Sequence, residues 1–246
     1  ADVLLIGDSF TQGVCVAADD QIAGVLRDDL HVVNLGNKGS GPIQQLATLR
    51  EYGALTSARD VFWIYYEGND RYDLAGERRR PWLTAYLDPT HRQRLAERAV
   101  SVDHHFGLWV DSLLAAGPRP AEARRPPGLL ADMLRFRSLR RLTRFGVLFP
   151  SPSSPISILP QVLEEARDEA AGWGGRLHVV YLPTYERYAS LVGDGVPGKR
   201  EVLAAAERLG LPVLDLDTTF LRTGRPREMW TGPGGHLTPE GYRRVA

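Results

Sequence analysis

The stretch ADVLLIGDSFTQG (1–13) contains the features that decide the predicted fold. DVLLIG (2–7) is a short apolar run of the kind that forms a strand buried on both faces. Gly7 permits a sharp turn, and Ser9 follows at or near the N-terminus of the next segment. Backbone N–H groups without helical partners lie close to such a serine. Gly-Asp-Ser alone is common turn chemistry, so Ser9 is a candidate nucleophile only if other residues support it.

The rest of the chain repeats this arrangement of a strand followed by a helix. Further strands are predicted at 31–36, 60–66, 176–182 and 211–216, and apolar residues at helical spacing predict helices at 20–30, 42–53, 157–173 and 197–209. The alternation predicts an α/β fold with three layers, α/β/α, around a five-stranded parallel sheet. In such sheets, reactive groups collect beyond the carboxyl ends of the strands.

One long segment, 71–156, interrupts the alternation within what we expect to be a single domain, 1–246. It is rich in arginine and proline, and its apolar spacing predicts a mostly helical insertion. Within it, GLLADMLRFRSLRRLTRF (128–145) predicts a basic amphipathic helix. Such a helix can contact a membrane surface or line a site for an acidic substrate, but a solvated arginine face is the commoner outcome.

Composition excludes several classes of protein. Thirty basic and thirty acidic residues give no net charge, so the overall charge does not indicate a nucleic-acid partner. The single cysteine, Cys15, excludes an internal disulfide, and we expect it to be a small buried residue. No apolar run approaches the roughly 18 residues of a membrane span. Because Ala1 leads directly into a strand and Ala246 falls inside a predicted helix, both ends are expected to be trimmed.

Three further short blocks follow later strands. NLGNKGSGP (34–42) is a glycine-rich turn that could aim a backbone N–H into a site, and YYEGNDRYD (65–73) places the Asn69 amide after the third strand. His236 precedes a predicted helix after the fifth strand, with Thr238 as its cap. Because parallel strands end at one edge of a sheet, these groups and Ser9 are expected to meet there. Together they are the parts needed for acyl transfer: a nucleophile, oxyanion donors and a base.

The four blocks GDSF, NLGNKG, EGND and HLTPEGY resemble those of the SGNH, or GDSL-type, hydrolases. The chain is most similar to a subgroup with an EGND-like third block and a long insertion. The resemblance implies a flavodoxin-like fold and no cofactor. It implies that Ser9 is the nucleophile and His236 the base. The oxyanion hole would comprise the N–H groups of Ser9 and Gly39 and the side-chain amide of Asn69.

The sequence departs from this family at the acid. Members usually place an Asp two or three residues before the histidine, where this chain has Gly234 and Pro233. We therefore expect a Ser–His dyad whose histidine is oriented by a backbone carbonyl. The carboxylates that could support the site are Asp8, Asp70 and Asp215.

The sequence makes more limited predictions for four other side chains. Tyr66 and Trp230 are candidate pocket walls. His104 and His105 are adjacent, so on a helix they point to different faces and do not indicate a metal site. No metal or organic cofactor is expected.

These features together predict a serine esterase acting on an O-acetylated carbohydrate or another small acyl ester. Two alternatives stay open: an O-acyltransferase that uses the same residues, and a binding module that lost catalysis with the acid. Oligomeric state is not determined by the sequence. The family resemblance favours a cell-envelope or extracytoplasmic location over the cytoplasm.

Overall fold

A computed structural model describes residues 1–117, 156–189 and 198–246. Its sheet contains five parallel strands in the order β2-β1-β3-β4-β5. They are β1 (Val3–Gly7), β2 (Val32–Asn34), β3 (Asp60–Tyr66), β4 (Arg176–Leu182) and β5 (Val213–Asp215). The predicted α/β fold with a five-stranded parallel sheet is confirmed.

Helices cover both faces of this sheet. The described α-helices are α1 (Ser9–Gln12), α2 (Ile22–Leu26), α3 (Pro42–Thr48), α4 (Ala54–Thr56), α5 (Asp70–Glu77), α6 (Pro81–Thr84), α7 (Ala99–Ala115), α8 (Leu159–Gly172), α9 (Tyr185–Ala189), α10 (Lys199–Arg208), α11 (Leu216–Leu221) and α12 (Pro239–Val245). A π-helical segment, Leu49–Gly53, joins α3 to α4. Short 3₁₀ turns lie at Ala18–Asp20, Ala85–Leu87 and Pro226–Met229.

Two apolar cores form because successive strand residues point to opposite faces. On one face, Ile6 and Trp63 pack with apolar side chains of α3, α8 and α10. On the other, Leu5 and Ile64 pack with α2, α11 and α12. The central strands are buried on both faces, which explains why their sequences are continuous apolar runs.

The edge strand β5 differs from its prediction as a strand buried on both faces. Val213 and Leu214 are 39% and 45% exposed. β5 pairs only with β4, over the three residues from Val213 to Asp215, so its outer side has no neighbouring strand. Apolar composition alone does not distinguish an edge strand from a central one.

The chain divides into two compact units, 1–93 with 154–246, and 94–153. Residues 71–93 thus lie in the first unit, although the predicted insertion is 71–156. The buried carboxylate of Glu77 accepts hydrogen bonds from the Gly41 and Ile43 N–H groups at the start of α3, at 2.7 and 2.9 Å. The buried Arg50 guanidinium donates to the Tyr86 and Asp88 carbonyls and to the Glu165 carboxylate. These polar contacts hold 71–93 against the main core.

The second unit is described over 94–117, where α7 is a 17-residue helix. The predicted basic helix 128–145 lies outside the described residues. In the part of the chain that the structure describes, no helix is both long and apolar enough to span a membrane.

Candidate active site

Ser9 is placed by a tight turn at the carboxyl end of β1. The Asp8 side chain caps α1 by accepting a hydrogen bond from the Phe10 N–H at 2.9 Å. A side chain at Gly7 would collide with Thr11 and with the Ile64 carbonyl, so the turn requires glycine there. Ser9 itself is 8% exposed. The first residues of α1 therefore hold its hydroxyl in a fixed, largely dry position.

His236 is held by the loop that precedes α12. Thr238 accepts a hydrogen bond from the Gly241 N–H at 3.1 Å and so caps this helix, as predicted. The Thr231 N–H donates to the His236 carbonyl at 2.9 Å, and Trp230 pairs with Leu237 in a short antiparallel bridge. With its backbone fixed on both sides, His236 places Nε2 2.9 Å from the Ser9 Oγ.

The surroundings of His236 favour the neutral imidazole. Burial lowers the pKa of His236 below its usual value, while the negative charge of Asp8 raises it and the positive charge of Lys38 lowers it further. The ring packs against Phe10, with ring centroids 4.6 Å apart. A neutral imidazole can accept the serine proton, as a general base must.

The other ring nitrogen of His236 contacts sulfur. Cys15 Sγ lies 3.8 Å from Nδ1. Cys15 is exposed, so the expectation that it is a small buried residue is wrong. A backbone carbonyl was expected at Nδ1, and no such contact is present among the described residues. Cys15 lies in the turn that follows α1 and adopts a φ of +75°.

Asn69 and Asp70 follow β3 and perform different tasks. The Asn69 amide donates to Asp8 Oδ2 at 3.0 Å, next to the serine turn. Asp70 is fully buried; it accepts from the Tyr66 N–H at 2.9 Å and from the Gln45 amide at 3.3 Å. Burial raises the pKa of Asp70, and the nearby Asp8 charge raises it further. Asp70 therefore holds the loop, whereas Asn69 faces the nucleophile.

A cavity of about 370 Å³ opens beside the Ser9–His236 pair. Its lining residues are Ser9, Phe10, Tyr66, Gly68, Asn69, Thr184, Glu186, Gly234 and His236. Burial raises the pKa of Tyr66 to about 12, so its hydroxyl keeps its proton, and it lies 3.2 Å from the Thr184 hydroxyl. The cavity combines two aromatic rings with hydroxyl, amide and carboxylate groups.

Solved structures similar to this chain include members of a lipolytic protein family. A lipolytic protein of the G-D-S-L family from Desulfitobacterium hafniense has a TM-score of 0.51 at 16% identity, with 99% of this chain and 94% of that chain covered. A second G-D-S-L lipolytic protein, from Veillonella parvula, has a TM-score of 0.50 at 14% identity, with 99% and 93% covered. The fold is that of the SGNH, or GDSL-type, hydrolases.

A third solved structure is also similar to this chain, whereas the sequence comparisons found no match. An α/β hydrolase enzyme from the metagenome of Lake Arreo has a TM-score of 0.51 at 14% identity, and 99% of this chain and 90% of that chain are covered. No family model and no curated protein sequence matches the chain.

Within this SGNH fold, the remaining predicted site residues lie at different distances from the nucleophile. Gly39 is exposed with a φ of +80° on the loop after β2, where the neighbouring Ser40 hydroxyl donates to the Gly7 carbonyl at 3.1 Å. It does not line the cavity, and its role as an oxyanion donor stays a prediction. Trp230, a predicted pocket wall, is 3% exposed and packs against Phe220 and Tyr188. It belongs to the core behind the site.

Asp215 has a structural role and does not contact His236 among the described residues. It accepts from the Asp217 N–H at 3.1 Å, capping α11, and pairs with Lys199 Nζ at 2.8 Å. Asp8 is the nearer carboxylate: it acts on His236 by charge and bonds Asn69 directly.

Glu186 is a pocket residue that sequence reasoning missed. It lies on α9, after β4, and accepts a hydrogen bond from the Gly234 N–H at 3.2 Å. A carboxylate from another element therefore contacts the loop that precedes His236. The only sequence signal was its place at the carboxyl end of a strand.

The described residues contain no group of three or more His, Cys, Asp or Glu side chains arranged to hold a metal ion. His104 and His105 lie next to each other on α7.

Proposed function

We propose that this protein is a serine ester hydrolase that uses Ser9 and His236. The observation that supports this most directly is the 2.9 Å contact between Ser9 Oγ and His236 Nε2. Nucleophile and base within hydrogen-bond reach, beside a cavity and an amide donor, are the arrangement that acyl transfer requires.

The reaction follows from the roles of these groups. His236 Nε2 takes the Ser9 proton as Oγ attacks the ester carbonyl, and the imidazolium then returns this proton to the leaving alcohol. The Ser9 and Gly39 N–H groups and the Asn69 amide stabilise the oxyanion. An amide NH₂ has two hydrogens, so Asn69 can donate one to Asp8 and the other to the oxyanion. Water, activated by His236, releases the acyl group from Ser9.

The cavity favours a small acyl group on a polar alcohol. A volume of about 370 Å³ lies at the lower end of the range for ligand pockets and is enough for a small acyl group. Thr184 and Glu186 offer hydrogen-bond acceptors to an alcohol, and the Tyr66 ring offers an apolar face. An O-acetylated carbohydrate satisfies each of these features.

Labelling with a fluorophosphonate probe tests the proposal directly. We expect one probe per chain on Ser9 and none on Ser9→Ala. His236→Ala should label at least about 10³-fold more slowly, because the serine loses its base.

Asn69→Ala should reduce turnover of an acetyl ester by about 10²-fold to 10³-fold, since one oxyanion donor is lost. Thr223→Ala is the control. Thr223 follows the C-terminal end of α11, where its hydroxyl donates to the Phe220 carbonyl, so labelling should be unchanged.

Absence of labelling in the folded parent protein, at high probe concentration and raised pH, would contradict the proposal. Ligand binding without turnover would then be the better description. Labelling without hydrolysis of any acetyl ester would instead keep the activated serine and favour transfer to an acceptor other than water. Acetylated sugars and p-nitrophenyl esters of increasing acyl length distinguish these outcomes.

A further inference from the structure

The SGNH acid is absent from its usual place, yet the Ser9–His236 pair still requires a defined tautomer. Nε2 can accept the Ser9 proton only if the ring proton is on Nδ1. The group facing Nδ1 therefore determines how much of the imidazole is ready to act. In the structure that group is the Cys15 sulfur, at 3.8 Å.

The backbone around Cys15 is arranged to place its side chain there. Three non-glycine residues of the described chain have positive φ: Cys15, Ser57 and Arg94. This conformation is costly for a residue with a Cβ, so neighbouring contacts must maintain it. One of them is visible: the buried Tyr242 donates its hydroxyl to the Val14 carbonyl at 3.2 Å.

Tyr242 also joins the cysteine turn to the histidine loop. It belongs to α12, the helix that begins three residues after His236. The Tyr242 contact thus fixes the Cys15 backbone to the same element that fixes His236.

We propose that Cys15 is the positioning residue for His236: its sulfur accepts a hydrogen bond from Nδ1–H and leaves the Nε2 lone pair facing Ser9. This inference rests on the proposed function, because the tautomer matters only if Ser9 reacts. No proton moves to sulfur. The Ser9 proton goes to Nε2 and then to the leaving group, while the Nδ1 proton stays on nitrogen throughout.

Asp8 and Lys38 act on the charge of His236, whereas the Cys15 sulfur acts on the orientation of its ring. Asp8 stabilises the imidazolium by its charge, and Lys38 opposes it. Tyr242 lies close to Cys15 and, because burial raises its pKa, stays protonated. A neutral thiol is a weak acceptor, so Cys15 orients the ring without supplying the full charge of an aspartate.

Three substitutions at one position separate orientation from charge. Cys15→Ala removes the acceptor and should slow fluorophosphonate labelling about tenfold, the effect of one lost hydrogen bond. Cys15→Ser should retain more of the rate than Cys15→Ala. Cys15→Asp supplies the carboxylate, so it should raise the pKa of His236 and move the acid limb of the pH profile to higher pH.

A matched control uses the second positive-φ residue. Ser57→Gly relieves the same kind of backbone conformation at the end of α4, three residues before β3 begins at Asp60. Cys15→Gly relieves it at the site and removes the sulfur. Labelling should fall for Cys15→Gly and stay unchanged for Ser57→Gly.

A second measurement does not depend on Ser9. Since the chain has one cysteine, alkylation by iodoacetamide reports on Cys15 alone. In a Ser9→Ala background, the rate of alkylation should differ from that in Ser9→Ala/His236→Ala, because the imidazole contacts the sulfur and a neighbouring imidazole alters the reactivity of a cysteine. Equal alkylation profiles would show that the two side chains do not interact.

The outcomes separate this inference from the proposed function. If the parent protein labels on Ser9 but Cys15→Ala labels at the same rate with the same pH profile, the inference is overturned and the esterase proposal stands. If the parent protein does not label, both are overturned. Slower labelling of Cys15→Ala, a shifted acid limb for Cys15→Asp and coupled alkylation together support the assignment.

Discussion

At the scale of the residue, the charge state of His236 sets the pH range of the proposed reaction. Burial lowers the pKa of His236 below the ordinary 6.5. A general base acts in its neutral form, so kcat/KM should rise with pH through this pKa and then reach a plateau. We expect the midpoint of the acid limb below 6.5, measured with an acetyl ester in buffers of constant ionic strength.

The exposed cation Lys38 provides a variant for the same measurement. Its charge lowers the pKa of His236, so Lys38→Gln should move the acid limb to higher pH. Arg222→Gln removes the same charge at an exposed position after α11 and should leave the limb in place. Identical movement in both variants would mean that net charge, and not proximity to His236, determines the shift.

The candidate site was predictable from sequence where a residue follows a strand of the sheet. Ser9 and Asn69 follow β1 and β3, and His236 comes in the loop before a capped helix, so topology alone brings them to one edge. Cys15 could not be assigned in this way. Its contact with His236 depends on a left-handed turn in a sequence, Gly13-Val14-Cys15, that contains no distinctive signal for φ at Cys15.

At the scale of the element, the N-terminus of α3 depends on a carboxylate from another helix. Glu77, at the end of α5, is 3% exposed and accepts from the Gly41 and Ile43 N–H groups. Its removal leaves these buried donors unsatisfied. We expect Glu77→Ala to lower the free energy of unfolding by about 2–4 kcal/mol, measured by urea denaturation.

An exposed glutamate on another helix gives the comparison. Glu164 lies on α8 with a side chain 52% exposed, and Glu164→Ala should change stability by less than about 0.5 kcal/mol. A small effect of Glu77→Ala, similar to that of Glu164→Ala, would show that water can reach the α3 terminus and replace the carboxylate.

Contacts of this kind also show what element-level prediction does not reveal. All five strands and the long helices α8 and α10 were predicted within a few residues, because apolar runs and helical spacing leave clear patterns. The segment 71–93 was assigned to the insertion because 71–156 interrupts the alternation of strands and helices. The structure holds it through buried polar contacts of Glu77, Arg50 and Glu51, which hydrophobic periodicity does not reveal.

At the scale of the whole molecule, the distribution of charge matters more than its total. The chain has no net charge, so any attraction to an anionic surface must come from a local excess. The segment 128–145 contains such an excess, with arginine interleaved among leucine and phenylalanine. Its contact with a membrane surface stays a prediction, and a solvated arginine face is the alternative.

Cosedimentation with lipid vesicles separates the two. If the segment contacts membranes, the protein should bind vesicles that contain phosphatidylglycerol and should not bind vesicles of pure phosphatidylcholine. Binding should weaken as the salt concentration rises, because salt screens the attraction between exposed charges. Arg135→Gln, Arg140→Gln and Arg144→Gln together should abolish binding. A control variant carries Arg→Gln changes at Arg208, Arg222 and Arg225, in the first unit. It has the same net charge as the first triple variant and should still bind the vesicles. Equal loss from both triple variants would implicate overall charge, and no binding by the parent protein would leave the segment as a solvated face.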